Sequence, residues 1–369
     1  MNGTERIETV IVGGGQSGLA VGYNLARAGR PFVILEANQR LGDSWRMRWD
    51  SLRVFTPAWL SALDGMPIPA PKWSFPTKDA LADYFEAYAA RFELPVRTGV
   101  SVTRVSRDGQ RFMVETTRGR IEADNVVVAS GQDHTPKTPG FARELDAGIR
   151  QLHSKDYRNP SQLQAGPALV VGAGNSGAEI ALEIARTRTT LLSGRYWRAP
   201  VGPSRHPLLT LAFYPIFLHL LTIDTPIGRK ARTKLIHGSV PVERVRRKDL
   251  VAAGVELVAR TVGARNGSPR LEDGRVVDVA NVIWCTGYRT DLGWIDLPIT
   301  GDDGLPLEER GVVRSIPGLY FVGRLFQYSV TSALLGPGLV RDAAYIARQI
   351  TARAAAPSAS VADPVARSA

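Results

Sequence analysis

The run Thr9-Val10-Ile11-Val12-Gly13-Gly14-Gly15-Gln16-Ser17-Gly18 joins a β-branched apolar segment directly to a glycine turn. The apolar segment predicts a strand. After the turn, Leu19, Ala20, Tyr23, Leu25 and Ala26 recur at helical spacing. Phe32-Val33-Ile34-Leu35 predicts a second strand, and Glu36 stands at its end, 18 residues beyond Gly18. Strand, glycine turn, helix, strand and terminal acid together make a complete dinucleotide fingerprint, which a lone glycine triplet would not. Gly13 allows the tight turn, Gly15 removes the Cβ that would keep a pyrophosphate from the backbone, and Gly18 lets the helix sit close to the strand. Gln16 and Ser17 lie at the helix N-terminus, where unpaired N–H groups and the positive dipole end favour phosphate. A carboxylate at Glu36 accepts from ribose hydroxyls and repels a 2′-phosphate, so this first site is expected to hold FAD or NAD and to exclude NADP.

A second copy lies downstream. Ala168-Leu169-Val170-Val171 runs into Gly172-Ala173-Gly174-Asn175-Ser176-Gly177, a helix follows from Ala178 to Ala185, and Thr189-Thr190-Leu191-Leu192 follows as a strand. Its end carries Ser193, Gly194 and Arg195, with Arg198 close behind, and no acid. An arginine there can take a 2′-phosphate. The second site therefore leans to NADPH, with NADH as the alternative; the plainer reading is that Arg195 simply faces solvent. One acidic and one basic nucleotide site in a single chain fits a flavoprotein that receives hydride from a nicotinamide cofactor.

The rest of the chain bounds the answer. Of 369 residues, 44% are hydrophobic and 22% charged, so the chain can bury a full core. One cysteine, Cys285, excludes an intrachain disulfide, a CxxC redox pair and a cysteine-rich zinc site. The five histidines show no close ligand pair, and no metal is expected. The net charge of +11 comes mostly from scattered arginines without a nucleic-acid-binding signature, so no nucleic-acid partner is expected. A polar start at Met1 to Arg6 shows no signal peptide, which points to a cytoplasmic protein. The apolar run Leu208 to Ile223 is broken by Pro215 and falls short of a membrane span. It is expected to cap a pocket, to touch a membrane peripherally or to form buried helices.

Between the glycine turns, Ser101 to Val105, Arg111 to Thr116 and Arg120 to Glu122 alternate like an antiparallel meander, and Asp124 to Ala129 reads as a buried strand. Val276 to Val279, Asn281 to Cys285 and Leu319 to Gly323 read as later strands, and Ser332 to Gln349 as a helix. The expected fold class is α/β, with two nested Rossmann-like domains and a β-meander. An FAD domain would span 1–165 and 290–350, and an NAD(P) domain 166–289, with crossings near Ser130 and Thr286-Gly287. The Ala-, Ser- and Pro-rich tail 351–369 is expected to be disordered.

These motifs together resemble the class B flavoprotein monooxygenases, above all the short bacterial flavin-containing monooxygenases and the plant auxin-forming flavin monooxygenases. The likeness extends to about Arg348. Besides the two glycine turns it rests on Leu41-Gly42-Asp43-Ser44-Trp45, on Trp49 to Pro57, on His153-Ser154-Lys155-Asp156-Tyr157, on Cys285-Thr286-Gly287-Tyr288, and on Phe326-Gln327-Tyr328 with Ser332-Ala333-Leu334. The family's F-x-G-x-x-x-H-x-x-x-[YFW] signature is met by His153 and Tyr157 but has Ala147 and Ile149 at its Phe and Gly positions. His153 is then a domain-packing residue. Where some members carry an asparagine beside the flavin this chain has Phe55 and Thr56, and Gly323-Arg324 replaces the Gly-Asp of the disulfide-reductase relatives. Four of the seven tryptophans, Trp45, Trp49, Trp59 and Trp73, fall within 29 residues; Trp45 is expected near the flavin, and Cys285 is expected to be inert.

The resemblance implies that Ser44, Trp45, Phe55, Thr56, Val102, Ala129 and Gln327 join the first glycine turn in holding FAD. It implies that NADPH reduces the flavin, and that O₂ then forms a C4a-(hydro)peroxyflavin. One oxygen passes to a small substrate, an S or N nucleophile, a ketone or a 2-oxo acid, and the other leaves as water. No side-chain nucleophile is then expected. Two other functions stand beside this one. One is an NAD(P)H-dependent flavin reductase without oxygen transfer. The other is a flavin-dependent redox sensor that binds a partner. The oligomeric state is left open.

Overall fold

The structure, a computed structural model, describes residues 4–132, 135–197, 214–236, 242–302 and 304–355. Two sheets organise it. In the first, β1 (Glu5–Val12) runs into helix α1 (Gln16–Arg27) and returns as β2 (Phe32–Glu36). Short helices α2 (Asp43–Arg46) and α3 (Ala58–Ser61) and the longer α4 (Lys78–Arg91) follow, then β3 (Val96–Thr98). The meander is β4 (Val102–Asp108), β5 (Arg111–Thr116) and β6 (Gly119–Val128). The two strands expected at Arg120–Glu122 and Asp124–Ala129 are therefore one. Residues 119–123 pair antiparallel with β5 and residues 121–128 pair parallel with β1, so one ten-residue strand serves both the meander and the parallel sheet. The order is β3-β2-β1-β6-β5-β4.

The chain then crosses through β7 (Thr135–Pro136) to β8 (Arg150–His153). The second sheet is built from β9 (Ala168–Val171), helix α5 (Asn175–Ile184) and β10 (Thr190–Ser193). Residues 214–219 are helical, and helices α6 (Pro226–Ile236) and α7 (Arg247–Ala252) lead to β11 (Val255–Val258), the hairpin β12 (Thr261–Arg265) and β13 (Ser268–Leu271), and β14 (Asn281–Trp284). The order is β11-β10-β9-β14-β8, all parallel. Strand β8 lies upstream of residue 166, so the second sheet draws its edge strand from sequence assigned above to the first domain. Val276 makes only an isolated bridge to Arg270, so the expected strand at Val276–Val279 does not form.

The return is β15 (Tyr288–Arg289), paired antiparallel with β7, then β16 (Leu319–Phe321) alongside the C-terminal half of β6, and finally helix α8 (Pro337–Ala355). This helix starts five residues later than expected and runs to Ala355, so Thr351–Ala355 is helical. Pro337 suits a first turn, where its missing N–H costs nothing. Upstream, the Ser332 hydroxyl accepts from the N–H groups of Tyr328 and Ser329, holding a turn in place of helix.

Cores lie on both faces of each sheet. Helices α1, α4 and α8 cover one face of the first sheet with Leu19, Tyr84, Tyr88 and Ile346, and Val105, Phe112, Ile295 and Ile316 cover the other. On the second sheet, Trp49 and Leu52 from the N-terminal part pack among Tyr157, Ile180 and Leu250. That shared cluster packs the two halves together, beside the chain crossings between them.

Helix α1 can approach β1 only because Gly18 lacks a side chain: a Cβ there would stand 1.9 Å from the Gly13 carbonyl oxygen. Gly18→Ala is expected to cost about 1–3 kcal/mol through forced displacement of the helix, read as a lower midpoint of thermal unfolding.

Candidate functional site

Both glycine turns have the same geometry. Gly13 and Gly172 sit at φ 109° and 108°, a left-handed region that favours glycine. A Cβ on Gly13 would strike the Ala129 carbonyl after β6, and one on Gly172 the Cys285 carbonyl after β14. Gly18 and Gly177 each pass against the carbonyl of the first glycine. In contrast, a Cβ on Gly15 or Gly174 meets nothing within 4 Å among the described residues. These two precede α1 and α5 and offer no side chain to cap the helix, so the first-turn N–H groups point into open space.

That space is one cleft of about 770 Å³, within the roughly 300–1,000 Å³ of ligand pockets. Of the residues expected at the first site, Gly13, Gly15, Gln16, Ser17, Glu36, Ser44, Trp45, Phe55, Val102 and Ala129 line it; from the second turn Asn175 and Ser176 reach the same cleft. It lies at the carboxyl ends of the parallel strands, where open α/β sheets bind ligands. Another depression, of about 660 Å³, lies at the opposite strand ends among Arg6, Glu8, Arg97 and Asp124. It has no glycine turn, and ion pairs Arg30–Glu8 and Arg97–Glu5 occupy its charges.

Glu36 is partly committed. Its carboxylate accepts from the Gly14 N–H at 2.8 Å and from the Asn38 N–H at 2.9 Å. The first bond ties the end of β2 to the glycine turn and fixes the carboxylate beside it. The Asn38 side-chain amide also donates to Oε1, at 2.6 Å, so the oxygen facing Gly14 is the one that keeps acceptor capacity for a hydroxyl.

Three expected residues do not reach the cleft with their polar atoms. The Thr56 hydroxyl is buried against Ser61 at 2.7 Å. Gln327 is buried, donating to the Phe321 carbonyl at 2.8 Å and accepting from the Arg324 N–H. The Ser193 hydroxyl donates to the Ala259 carbonyl at 2.9 Å and accepts from the Thr261 N–H at 2.8 Å, fully buried. Each of these side chains bonds neighbouring backbone or side-chain groups of the protein. Gly172, Gly174, Gly177 and Gly18 shape their turns without lining the cleft wall. Arg195 is exposed at the end of β10, and Arg198 lies outside the described residues.

Trp45 and Trp49 line the cleft, whereas Trp59 and Trp73 stack edge-on against each other at 5.5 Å, away from it. His153 is buried; its Nε2 donates to the Gly287 carbonyl at 3.1 Å and its Nδ1 accepts from the Lys155 N–H, so both ring nitrogens are used. Burial pushes its pKa down, which keeps the ring neutral. Its ring meets Tyr288 edge-on, and the Tyr288 hydroxyl accepts from Arg48, which lines the cleft. Tyr157 donates to Glu183 at 2.8 Å. Burial pushes the Cys285 thiol up to about 12, which disfavours its thiolate. In the apolar run 208–223, residues 208–213 lie outside the described residues; beyond them Ile216 and Leu220 are 40% and 54% exposed, which is not a buried helix pair. No described helix is long and apolar enough to cross a membrane.

The comparisons agree with this architecture. Residues 10–200, over half of the chain, match the family model described as pyridine nucleotide-disulphide oxidoreductase. A flavin-containing monooxygenase from Stenotrophomonas maltophilia is 28% identical over 95% of this chain and all of its own, with a TM-score of 0.73. The indole-3-pyruvate monooxygenase YUCCA8 of Oryza sativa subsp. japonica is 32% identical over 83% of this chain and 80% of its own. The chain belongs to the class B flavin-dependent monooxygenase family. As a family member it is an NAD(P)H-dependent flavoprotein oxidoreductase. An uncharacterized CzcO-like oxidoreductase of Geobacillus kaustophilus is 37% identical over 93% of this chain and 98% of its own. With a single cysteine, the chain has no intrachain dithiol pair for the disulphide chemistry in the family model's description.

The sequence reading missed Glu179, Arg48, Arg53 and Asp291, which all line the cleft. Glu179 had a signal. An acid one turn into a helix whose N-terminus is free for phosphate opposes an anionic ligand and calls for a partner.

Removing the Ser193 hydroxyl leaves the half-buried Thr261 N–H without its acceptor, so Ser193→Ala is expected to cost about 1 kcal/mol. The thermal midpoint falls while the ratio of NADPH to NADH activity stays unchanged; a changed ratio would return Ser193 to the nucleotide site.

Proposed function

We propose that the first glycine turn holds FAD and the second holds NADPH, and that the chain delivers one oxygen atom of O₂ to a small organic substrate. The observation that carries this reading is that two unhindered glycine turns, on two sheets, open onto one cleft. Gly13, Gly15, Gln16 and Ser17 offer backbone donors to the FAD pyrophosphate, and Glu36 takes a ribose. The aromatic faces of Trp45 and Phe55, with Val102 and Ala129, supply a dry wall. Gly174, Asn175 and Ser176 offer the matching donors to NADPH. Arg195, exposed at the end of β10 with no acid beside it, supports a 2′-phosphate there. The division of the chain into an FAD part (1–165 and 290–350) and an NAD(P) part (166–289) follows from these assignments, with β8 as the element that crosses over.

Bound flavin supplies the redox chemistry, accepting hydride from NADPH and activating O₂. The protein binds, orients and excludes water. Substrates fitting a mostly apolar wall are small molecules with an S or N nucleophile, a ketone or a 2-oxo acid. The last class is supported by the relative named for indole-3-pyruvate.

The test is stoichiometry. With NADPH and a productive substrate, O₂ consumed, NADPH oxidised and product formed are expected in equal amounts, with little hydrogen peroxide. NADPH oxidation that stays coupled to peroxide across sulfides, amines, ketones and 2-oxo acids, or passes to a quinone without O₂, would establish the reductase reading instead.

Gly15→Ala separates binding from folding. Its backbone, at φ −76° and ψ −172°, accepts alanine, and the new Cβ meets only open cleft. The variant is expected to unfold at the wild-type temperature or slightly above yet to purify with less flavin. Full flavin content would remove Gly15 from the FAD site.

A further inference from the structure

Glu179 lies one turn into α5 and faces the cleft, with its side chain only 13% exposed. Arg244 stands 3.5 Å from its carboxylate. The same Arg244 Nη1 donates to the Arg53 carbonyl at 2.9 Å, in the loop that presents Phe55 to the cleft, and its guanidinium lies over the Phe75 ring at 5.7 Å. The segment carrying Arg244 is fastened to the other half. Val242 and Val245 are buried in the core behind α5, and the Glu243 N–H donates to Asn175 Oδ1 at 2.8 Å. Arg244 thus spans from the second glycine turn to the flavin-side loop, with Glu179 as its counter-ion.

We propose that Glu179 and Arg244 are positioning residues, an ion-paired strap that sets how closely the nicotinamide-nucleotide turn approaches the flavin-side loop and that an entering anionic nucleotide loosens. The proposal rests on the placement of NADPH at Gly172–Gly177. Phosphates at the N-terminus of α5 compete with Glu179 for Arg244, and their negative charge raises the proton affinity of the carboxylate. Burial already pushes the Glu179 carboxyl up to about 7, with Arg244 opposing the rise. The other charged groups lining the cleft are Glu36, Arg48, Arg53 and Asp291. On α5 itself Glu183 bonds Tyr157, and at the start of α7, packed on α5, Arg246 pairs with Asp249. Nucleotide binding near neutral pH is therefore coupled to proton uptake at Glu179.

The test is calorimetric titration of the FAD-loaded enzyme with NADP⁺ in two buffers of different ionisation enthalpy, which counts protons independently of turnover. At about pH 7 the wild type is expected to take up as much as about half a proton per nucleotide, because a group near its pKa is half protonated beforehand. Glu179→Gln is expected to abolish the uptake and to flatten the pH dependence of the NADP⁺ dissociation constant between about pH 6 and pH 8. Glu179→Asp, which keeps a titrating carboxyl, restores part of the uptake. Arg244→Met removes the opposing charge, so the midpoint of the pH dependence moves up. Flavin absorbance checks that each variant retains its cofactor. Wild-type uptake persisting in Glu179→Gln overturns the proposal. A wild type that carries FAD but neither binds NADP⁺ nor is reduced by NADPH overturns the nucleotide site itself, a separate result.

Discussion

Both halves of this molecule depend on a contact that only glycine permits. Gly18 lies against the carbonyl of Gly13, and Gly177 against the carbonyl of Gly172, so closely that a Cβ would fall 1.9 Å and 1.7 Å from the oxygen. The contact sets where each helix begins relative to its strand, and so where the unpaired N–H groups of its first turn point. The first glycine of each turn is pinned in the same way by the carbonyl that follows the neighbouring strand, Ala129 after β6 and Cys285 after β14. Four backbone contacts without side chains thus aim two helix termini into one cleft. The chemistry expected there, binding anions on backbone donors, needs that aim more than it needs any catalytic side chain.

Holding two such units in register requires fastening between them, and the structure spreads it over several kinds of interaction. Trp49 and Leu52 bury apolar surface in the second core. His153, Tyr288 and Arg48 form a polar and aromatic chain from the end of β8 to the cleft wall. Apolar burial is non-directional and tolerates small sliding, whereas the hydrogen-bonded chain fixes an orientation. With His153 held neutral by burial, the chain needs no counter-charge to survive the physiological range.

The parts of this arrangement that the sequence made legible are those where chemistry constrains residue type locally. Glycines at fixed spacing, flanked by apolar runs, locate both turns, and Glu36 at the end of β2 falls where ribose recognition needs an acid. What stayed hidden depends on tertiary neighbours. Strand β8 is four residues, Arg150-Gln151-Leu152-His153, with no alternation to announce it; it is a strand because β14 offers it an edge. Thr56, Gln327 and Ser193 have polar side chains that sequence cannot distinguish from ligand contacts, and their partners, Ser61, the Phe321 carbonyl and the 259–261 backbone, claim them first. Glu179 escaped for the opposite reason, since on a helix surface an acid is ordinary and only the fold places it against Arg244.

The order of strands explains why the chain must cross between the halves twice and how it keeps those crossings from acting as free hinges. Each sheet places its glycine-turn strand centrally, between a β-α-β partner on one side and a later strand on the other, with an edge strand beyond. In the first sheet the edge strand β16 comes late in the chain; in the second, β8 comes before β9. The chain therefore leaves the first sheet after β6 and returns only after β14. The outgoing and returning segments run antiparallel as β7 and β15, with the Lys137 N–H on the Gly287 carbonyl, Thr286 on the Lys137 carbonyl and Thr290 on the Gln132 carbonyl. Two laced strands resist bending in the plane of their hydrogen bonds far more than two separate linkers do, while still allowing twist. Gly287, within the ribbon, carries the carbonyl that His153 holds, so the polar chain to the cleft wall starts at the crossing itself.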